Sequence, residues 1–454
     1  MAHALDRHLV LVGFMGAGKT TMGAEVARRL GRPFRDVDDE IESAHGPIWQ
    51  LFDEQGEVAF REIEARFVRE ACSLREPSVV AVGGGAVETR RLLEELDVFV
   101  VHVEVDVETA WERVQGSRRP LGRDETEFRR RFAQRLPLYS GVAEARADDA
   151  DGLVLAAAGI CFGSHATARG DALVVDSRVA DLHGIDATHL VSAGEARKTA
   201  EDAERLWHAL VLERSSTLVA VGGGSTTDLA GFVAATYMRG IDWIPVPSTL
   251  VGQVDAAIGG KVGIDLPAAK NLVGAFHWPA ETVIDTSLLD TLPDEERLNG
   301  LAEVVKTGLL VGEPLWELEL GEQVRRCAAF KAAICLRDPL DRGDRAQLNL
   351  GHTFAHALEA ASGYRVPHGR AVALGLVAAL RLSELDAEAR MVEELLSPTP
   401  VDVDRDAAWT ALQRDKKTVD GHLRLVLLEA PGAPFVASDV DPARVRGVLD
   451  ALIA

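Results

Sequence analysis

Short apolar runs alternate with amphipathic stretches through the first third of the chain. The runs at 8–12, 79–82 and 98–105 are rich in Val, Leu and Phe and are bounded by polar or glycine-containing segments, which predicts buried strands. The segments 19–30, 57–74 and 107–114 place apolar residues at helical spacing. Strands alternating with helices predict a parallel sheet covered by helices. The period is lost over 143–170, AEARADDADGLVLAAAGICFGSHATARG, and a domain boundary is expected there. A second α/β stretch follows, with strands at 172–176, 217–221 and 242–247 and a helix over 200–214. From about residue 288 the helical period dominates, most clearly at 348–361 and 372–385, with one late strand at 423–428. Three parts are therefore expected: 1–163, an α/β part at 164–287 and a mostly helical part at 288–454.

The hexapeptide VAVGGG occurs twice, at 80–85 and 219–224. The likeness stops there, because AVETRRLL follows the first copy and STTDLAGF the second. This speaks against a tandem duplication. A buried parallel strand that ends against a ligand needs small and β-branched residues, then glycines that let backbone approach.

Composition narrows the classes. The 454 residues exceed one hydrophobic core, and the apolar fraction of 47% suits a globular chain. The net charge of −22, from 49 basic and 71 acidic residues, opposes nonspecific binding to nucleic acid or anionic membrane. Four cysteines, Cys72, Cys161, Cys327 and Cys335, form no CxxC pair and no disulfide framework. The longest apolar stretch, 152–163, is too short and glycine-broken to span a bilayer, and 9–13 reads as a strand, not a signal sequence. A soluble cytoplasmic protein is expected.

Two sets of residues carry chemistry. The first is Gly13-Phe-Met-Gly16-Ala17-Gly18-Lys19-Thr20, a G-x-x-x-x-G-K-[ST] loop between a predicted strand and helix. Its backbone N–H groups can cradle phosphates, with Lys19 on the β/γ-phosphates and Thr20 on Mg²⁺. Asp36 and Asp38 flank Val37, so at strand spacing they would share one face. Arg61 lies in Phe-Arg-Glu-Ile-Glu64, where a lone Arg–Glu pair on a helix reads as a surface pair. Gly83, Gly84 and Gly85 end a strand, Arg119-Pro-Leu lies in a basic loop, and Arg135 precedes Pro137-Leu-Tyr139. This ordered set resembles shikimate kinase over 9–160. The resemblance implies ATP at Gly16, Ala17, Gly18, Lys19, Thr20, Thr21, Arg113 and Arg119, and Mg²⁺ at Thr20 and Asp36. It implies shikimate at Asp38, Arg61, Gly83, Gly84 and Arg135. Lys19, Asp38 and Arg119 would act in phosphoryl transfer, Arg119 from a lid that here reads Arg-Pro-Leu-Gly.

The second set lies in the later parts. Glu303 stands in Ala-Glu-Val-Val-Lys306, His352 and His356 are spaced i,i+4, and His368 follows in Val-Pro-His-Gly. A carboxylate with three histidines suits a metal, and spacing leaves open which of them bind it. Val219–Gly224 places glycines where a strand meets a helix, the usual place for a pyrophosphate, although the motif is not G-x-G-x-x-G. Glycines, amides and lysines then crowd 247–277.

With Gly194-Glu195-Ala-Arg-Lys198 before it and Asp415-Lys416-Lys417 after it, this set resembles 3-dehydroquinate synthase over 172–428. The resemblance implies a homodimer that uses NAD⁺ and Zn²⁺, or another divalent ion such as Co²⁺, with Glu303, His352 and His368 as ligands. NAD⁺ would meet Asp176, Glu195, Lys198, Gly223, Gly224, Asp228, Ser248, Thr249 and Lys270. The substrate, 3-deoxy-D-arabino-heptulosonate 7-phosphate, would meet Arg239 (from the partner subunit), Asp255, Lys261, Asn271, Lys306, Lys331, Arg345, Asn349, His356, Lys416 and Lys417. Of these, Lys261, Lys306 and His356 would be catalytic. The implied reaction oxidises a ring hydroxyl, eliminates phosphate, reduces the carbonyl again, opens the ring and closes it as 3-dehydroquinate.

The chain departs from that family in a shorter segment between Glu303 and His352, in Asp341 where Glu is usual, and in Arg370 where Glu is usual. The expected architecture is α/β: an N-terminal P-loop kinase with a parallel sheet, a Rossmann-like α/β domain, then a mostly helical metal-binding domain. The expected function is bifunctional, in aromatic amino acid biosynthesis. An active kinase fused to an inactive or altered sugar phosphate cyclase is the alternative.

Overall fold

The strand His8–Val12 is buried at every position and lies at the centre of a parallel sheet. The order is Phe34–Asp36, Val79–Ala81, His8–Val12, Val98–Val103, Ala145–Ala147, each neighbouring pair parallel. A computed structural model describes residues 3–115, 124–192, 194–266, 269–414 and 423–454. The chain divides into two units, Met1–Cys161 and Phe162–Ala454.

In the first unit the helix Lys19–Leu30 buries Gly23, Val26, Ala27 and Leu30, an i, i+3, i+4, i+7 face, and stops at Gly31 in the left-handed conformation. The helix expected at 57–74 begins earlier. It runs Ile48–Ala71 and breaks at Gly56, whose φ of 82° no helix contains. Part of the segment expected to be irregular is ordered. Ala145–Ala147 closes the sheet and Ala150–Ala157 is a helix capped by Asp149. An alanine-rich helix buried on most sides has no apolar–polar period to reveal it.

The second unit starts with another parallel sheet, ordered Asp242–Pro247, Thr217–Gly222, Ala172–Asp176, His189–Val191. The expected helix at 200–214 ends at Ala209, because Leu210 is already extended. The glycine-rich run at 261–276 is an antiparallel hairpin, Lys261–Leu266 with Ala269–Phe276. Gly263 faces Gly274, and a side chain on Gly274 would put its Cβ 2.4 Å from the Val262 carbonyl oxygen. The glycines that allow this close pairing hide the strand pattern.

Beyond residue 294 helices dominate. Asp294–Val311 begins with Asp294, Glu295 and Glu296 at the positive end of its dipole and ends at left-handed Gly312. His352–Ala361 and His368–Leu382 pack together in the centre of an apolar core that includes Phe354, Leu358, Leu376 and Leu380. The late strand Leu425–Leu428 pairs with a second, Pro434–Ala437, that the pattern did not predict. No described helix is long and apolar enough to cross a membrane.

Candidate functional site

Each unit gathers its own set of functional side chains. In the first, the loop after His8–Val12 carries Gly13, Gly16 and Gly18 at φ of 156°, 83° and 88°. At Gly16 an added Cβ would lie 2.7 Å from the Ala110 carbonyl oxygen, so the turn requires glycine. The loop feeds the N-terminus of Lys19–Leu30, where free N–H groups and the helix dipole favour an anion. Lys19 Nζ donates to the carbonyls of Gly13 (2.8 Å) and Phe14 (3.2 Å), and Arg113 Nη1 donates to that of Gly16 (2.9 Å). The Thr20 hydroxyl donates to Asp36 Oδ2 at 2.6 Å, two oxygen donors side by side as Mg²⁺ prefers. Ala17 is buried in the loop and Thr21 is exposed on the first helical turn.

Asp36 and Asp38 do not share a strand face as expected. The Asp36 carboxylate accepts from the N–H groups of Asp38 and Asp39 and caps the helix Val37–His45, so the chain turns helical between the two aspartates. Asp38 instead approaches Gly83. A Cβ there would lie 2.7 Å from Asp38 Oδ1 and 2.4 Å from Glu64 Oε1. At Gly85 it would lie 2.0 Å from the Arg61 guanidinium. The first glycine run therefore makes room for two carboxylates and an arginine.

Nor is the Arg61 pair a surface feature. Arg61 Nη1 donates to Glu64 Oε2 at 2.7 Å, and the Glu64 side chain is 2% exposed. Burial pushes the Glu64 carboxyl upward, offset only in part by Arg61. Arg61 and buried Arg135 converge on one carboxylate, Glu88, at 3.6 Å and 3.0 Å. Tyr139 donates to the Gly84 carbonyl at 2.5 Å and fixes the glycine run from behind. Glu88 carries no signal in the sequence, since its role depends on where two distant arginines meet. Arg119 lies outside the described residues.

In the second unit the helices Asp294–Val311, His352–Ala361 and His368–Leu382 bring Glu303, His352 and His368 together, one donor atom of each lying within 4.8 Å of the others. The Nε2 atoms of His352 and His368 stand 3.4 Å and 3.1 Å from Glu303 Oε1. His356, one turn on from His352, is exposed and is not part of this group. Two imidazole nitrogens and one carboxylate oxygen are the donor set of a catalytic divalent metal with coordination positions left open, so the residues fit such an ion.

In the metal-free protein burial pulls His352 down to about 4. His368, despite burial, is held up to about 10 by Glu303 and Glu359. Glu303 is buried too, yet Lys306 and His352 keep it well below the usual carboxylate range.

Lys306 Nζ lies 2.5 Å from Glu303 and 3.8 Å from Asp255, and Lys331 Nζ lies 2.7 Å from Asp255. Asp255 sits on a single turn of π-helix, Gly252–Ala256, a wide turn that aims its carboxylate at both lysines. One buried lysine, Lys306, one partly buried lysine, Lys331, and the carboxylate of Asp255 thus adjoin the metal donors.

The predicted dinucleotide residues gather at the carboxyl ends of the parallel strands. Gly223 caps the helix Gly224–Thr236, and its Cβ would come within 3.1 Å of Thr249. Ser248 follows the strand Asp242–Pro247, and Asp176 caps Ser177–His183 at the end of its own strand. Lys198, 2% exposed, lies 3.1 Å from Glu195, 3.0 Å from Asp228 and 3.7 Å from Asp265. Burial disfavours its charge, and these three carboxylates more than restore it. Lys270 stands 3.8 Å from Glu195 and over the Tyr364 ring.

Of the residues expected at the substrate, Asn271 accepts from Lys198 at 2.6 Å. Lys261 pairs with Asp341 at 2.6 Å on the exposed side of the hairpin. Buried Arg345 donates to the Gly259 carbonyl, and Asn349 to that of Ala346. Arg239 is exposed at φ of 68°. Arg370 donates to the carbonyls of Thr399 and Pro400, so its charge is engaged away from the metal donors. Lys416 and Lys417 lie outside the described residues. Asp265 and Glu359 were not singled out. Glu359 stands seven residues after His352, two helical turns, and that spacing was the available signal.

Comparison with known proteins gives matches in both units. Residues 15–157 match the family model for shikimate kinase. Residues 188–299 match that for 3-dehydroquinate synthase N-terminal, and 300–418 that for 3-dehydroquinate synthase C-terminal. A 3-dehydroquinate synthase of Symbiobacterium thermophilum is 41% identical over 321 residues, 62% of this chain and 90% of the relative. One of Xanthomonas campestris is 40% identical over 295 residues, 57% of this chain and 80% of the relative. The crystal structure of a 2-deoxy-scyllo-inosose synthase complexed with carbaglucose-6-phosphate, NAD⁺ and Co²⁺ shares the fold. Its TM-score is 0.57 at 24% identity, covering 64% of this chain and 95% of that one.

Proposed function

We propose how two active sites work in this chain, which belongs to the 3-dehydroquinate synthase family through its second unit and carries a shikimate kinase domain in its first. It is a bifunctional enzyme of the shikimate pathway, a phosphotransferase and a phosphate-eliminating lyase. What supports the reading is a P-loop and a converging arginine pair in the first unit, and a Glu-His-His donor group beside two lysines in the second.

In the kinase the Gly13–Gly18 loop takes the ATP phosphates and Lys19 turns from its carbonyls to the β/γ-phosphates. Thr20 and Asp36 would hold Mg²⁺, which would neutralise phosphate charge. The shikimate carboxylate replaces Glu88 on Arg61 and Arg135, and Asp38, beside Gly83, orients the hydroxyl and takes its proton. Arg119 neutralises the transferring group. Catalysis is then positioning and charge neutralisation.

In the synthase Glu303, His352 and His368 hold Zn²⁺, or Co²⁺ in its place. Bound metal supplies Lewis-acid polarisation of the substrate oxygens and bound NAD⁺ a reversible hydride acceptor. Lys306, Asp255 and Lys331 fix the ring hydroxyls, with Asp255 paired to both lysines. Gly223, Gly224 and Thr249 leave space for the pyrophosphate of NAD⁺, with Lys198, Asp228 and Asn271 beside it. Lys261, His356 and Lys416 or Lys417 hold the phosphate that leaves. The enzyme works as a homodimer, Arg239 reaching the partner's site, and in the cytoplasm.

Two assays on the purified full chain test this. Shikimate with Mg-ATP should give ADP, and the heptulosonate phosphate with NAD⁺ and Zn²⁺ should release inorganic phosphate. A zinc-loaded, NAD-bound protein with no phosphate release would remove the second activity, and no ADP above background would remove the first.

A further inference from the structure

Glu359 is a buried carboxylate, 6% exposed, on the helix His352–Ala361. A charge in that position needs a partner to offset desolvation. Its partner is His368, whose Nδ1 lies 3.0 Å from Glu359 Oε1. The other ring nitrogen of His368, Nε2, lies 3.1 Å from Glu303 Oε1. The imidazole is therefore strung between two buried carboxylates, of which only Glu303 belongs to the donor group.

His352 is held in the same sense by a different group. Its Nδ1 lies 3.2 Å from the Leu350 carbonyl, and its Nε2 faces Glu303. A neutral ring that donates through Nδ1 presents its lone pair at Nε2, the form in which it can bind a metal. Both histidines thus offer the same nitrogen to the space beside Glu303. One is set by backbone and the other by a carboxylate seven residues along the helix that carries the first.

We infer that Glu359 is a positioning residue for the metal centre: it fixes the tautomer and ring orientation of His368 and increases its donor strength toward a divalent cation. This rests on the metal reading of Glu303, His352 and His368. It also gives the helix His352–Ala361 two tasks, a ligand at its start and the orienter of a second ligand two turns later.

The test uses the full chain, stripped of metal and titrated with Zn²⁺ against a chromogenic chelator. Glu359→Gln keeps the shape and removes the charge, and Glu359→Met replaces the buried charge with an apolar chain of similar length. Both should weaken zinc binding by about 10–100-fold and shift the d–d absorption of the Co²⁺-loaded protein. Loss of one partner of the buried pair should also lower the melting temperature of the metal-free protein, so affinity and spectrum are read on folded protein well below it. Zinc affinity and cobalt spectrum equal to those of the parent in either folded variant would overturn the inference, as would an affinity loss with an unchanged cobalt spectrum. His352→Ala separates the two readings: if it binds zinc like the parent, the metal assignment itself is wrong and the role of Glu359 falls with it.

Discussion

Gly375→Ala should disable one active site by moving a helix. In the structure a Cβ on Gly375 would lie 2.1 Å from the carbonyl oxygen of Gly351 and 3.2 Å from the Ala355 nitrogen. These are backbone atoms of the turn and helix that carry His352, so no side chain can step aside. Carbon–oxygen contacts of this kind settle at about 3.3 Å or more, so His352–Ala361 and His368–Leu382 must part by roughly 1 Å. Metal–ligand distances tolerate about ±0.2 Å. The movement separates His352 on one helix from His368 on the other by several times that margin.

Overpacking costs ~1–3 kcal/mol, more than the ~1 kcal/mol that alanine gains over glycine in a helix. The expected result is at least a tenfold loss of zinc affinity and about 100-fold or more in phosphate release, with ADP formation from shikimate unchanged. Gly447→Ala is the control. It makes the same chemical change on the exposed helix Pro442–Asp450, where the Cβ meets nothing within 4 Å, and should leave both activities intact while adding slightly to stability. Zinc affinity and turnover at parental levels in Gly375→Ala would show that this backbone contact does not set the ligand spacing.

Three further outcomes follow from the geometry. Lys19→Ala should abolish ADP formation and spare phosphate release, and His352→Ala should do the reverse; loss of both activities in either variant would contradict two independent sites. Gly85→Ala, whose Cβ would meet the Arg61 guanidinium at 2.0 Å, should raise the KM for shikimate at least tenfold and leave the KM for ATP near its parental value, as steady-state kinetics would show. His102, 3% exposed and with no hydrogen bond to its Nδ1, has its pKa lowered by burial, which Glu104 at 3.9 Å offsets only in part. The unfolded chain therefore binds the proton first, so the group's support for the fold is complete above the ordinary histidine value of about 6.5 and is lost progressively below it. His102→Phe should flatten the fall in denaturant stability of the kinase domain between pH 7.5 and 5.5, and an unchanged slope would rule this group out as its source.

The sequence by itself determined most of what local spacing can encode. The phosphate loop, its strand and its helix lie within some two dozen residues, and the glycines, Lys19 and Thr20 work through backbone geometry that neighbours in sequence create. The Glu303, His352 and His368 set was legible through the family resemblance. Their convergence is a fact of packing, with three helices meeting at glycine contacts such as Gly351 against Gly375. Helical and strand periods likewise located the long elements and missed those without a period, such as Ala150–Ala157 and the glycine-paired hairpin.

Only the tertiary structure decided the pairings between distant residues. Asp38 left the strand because the Asp36 carboxylate caps a helix that starts between them, Arg61 turned inward to Glu64, Asn271 went to Lys198, and Glu88 acquired meaning from two arginines 74 positions apart. The two VAVGGG runs show the division most clearly. Both end a parallel strand in glycine, as the residues alone required. What each clears space for, Asp38, Glu64 and Arg61 in one case and Thr249 and Ala256 in the other, was set by side chains arriving from elsewhere in the chain, and no local pattern specifies those.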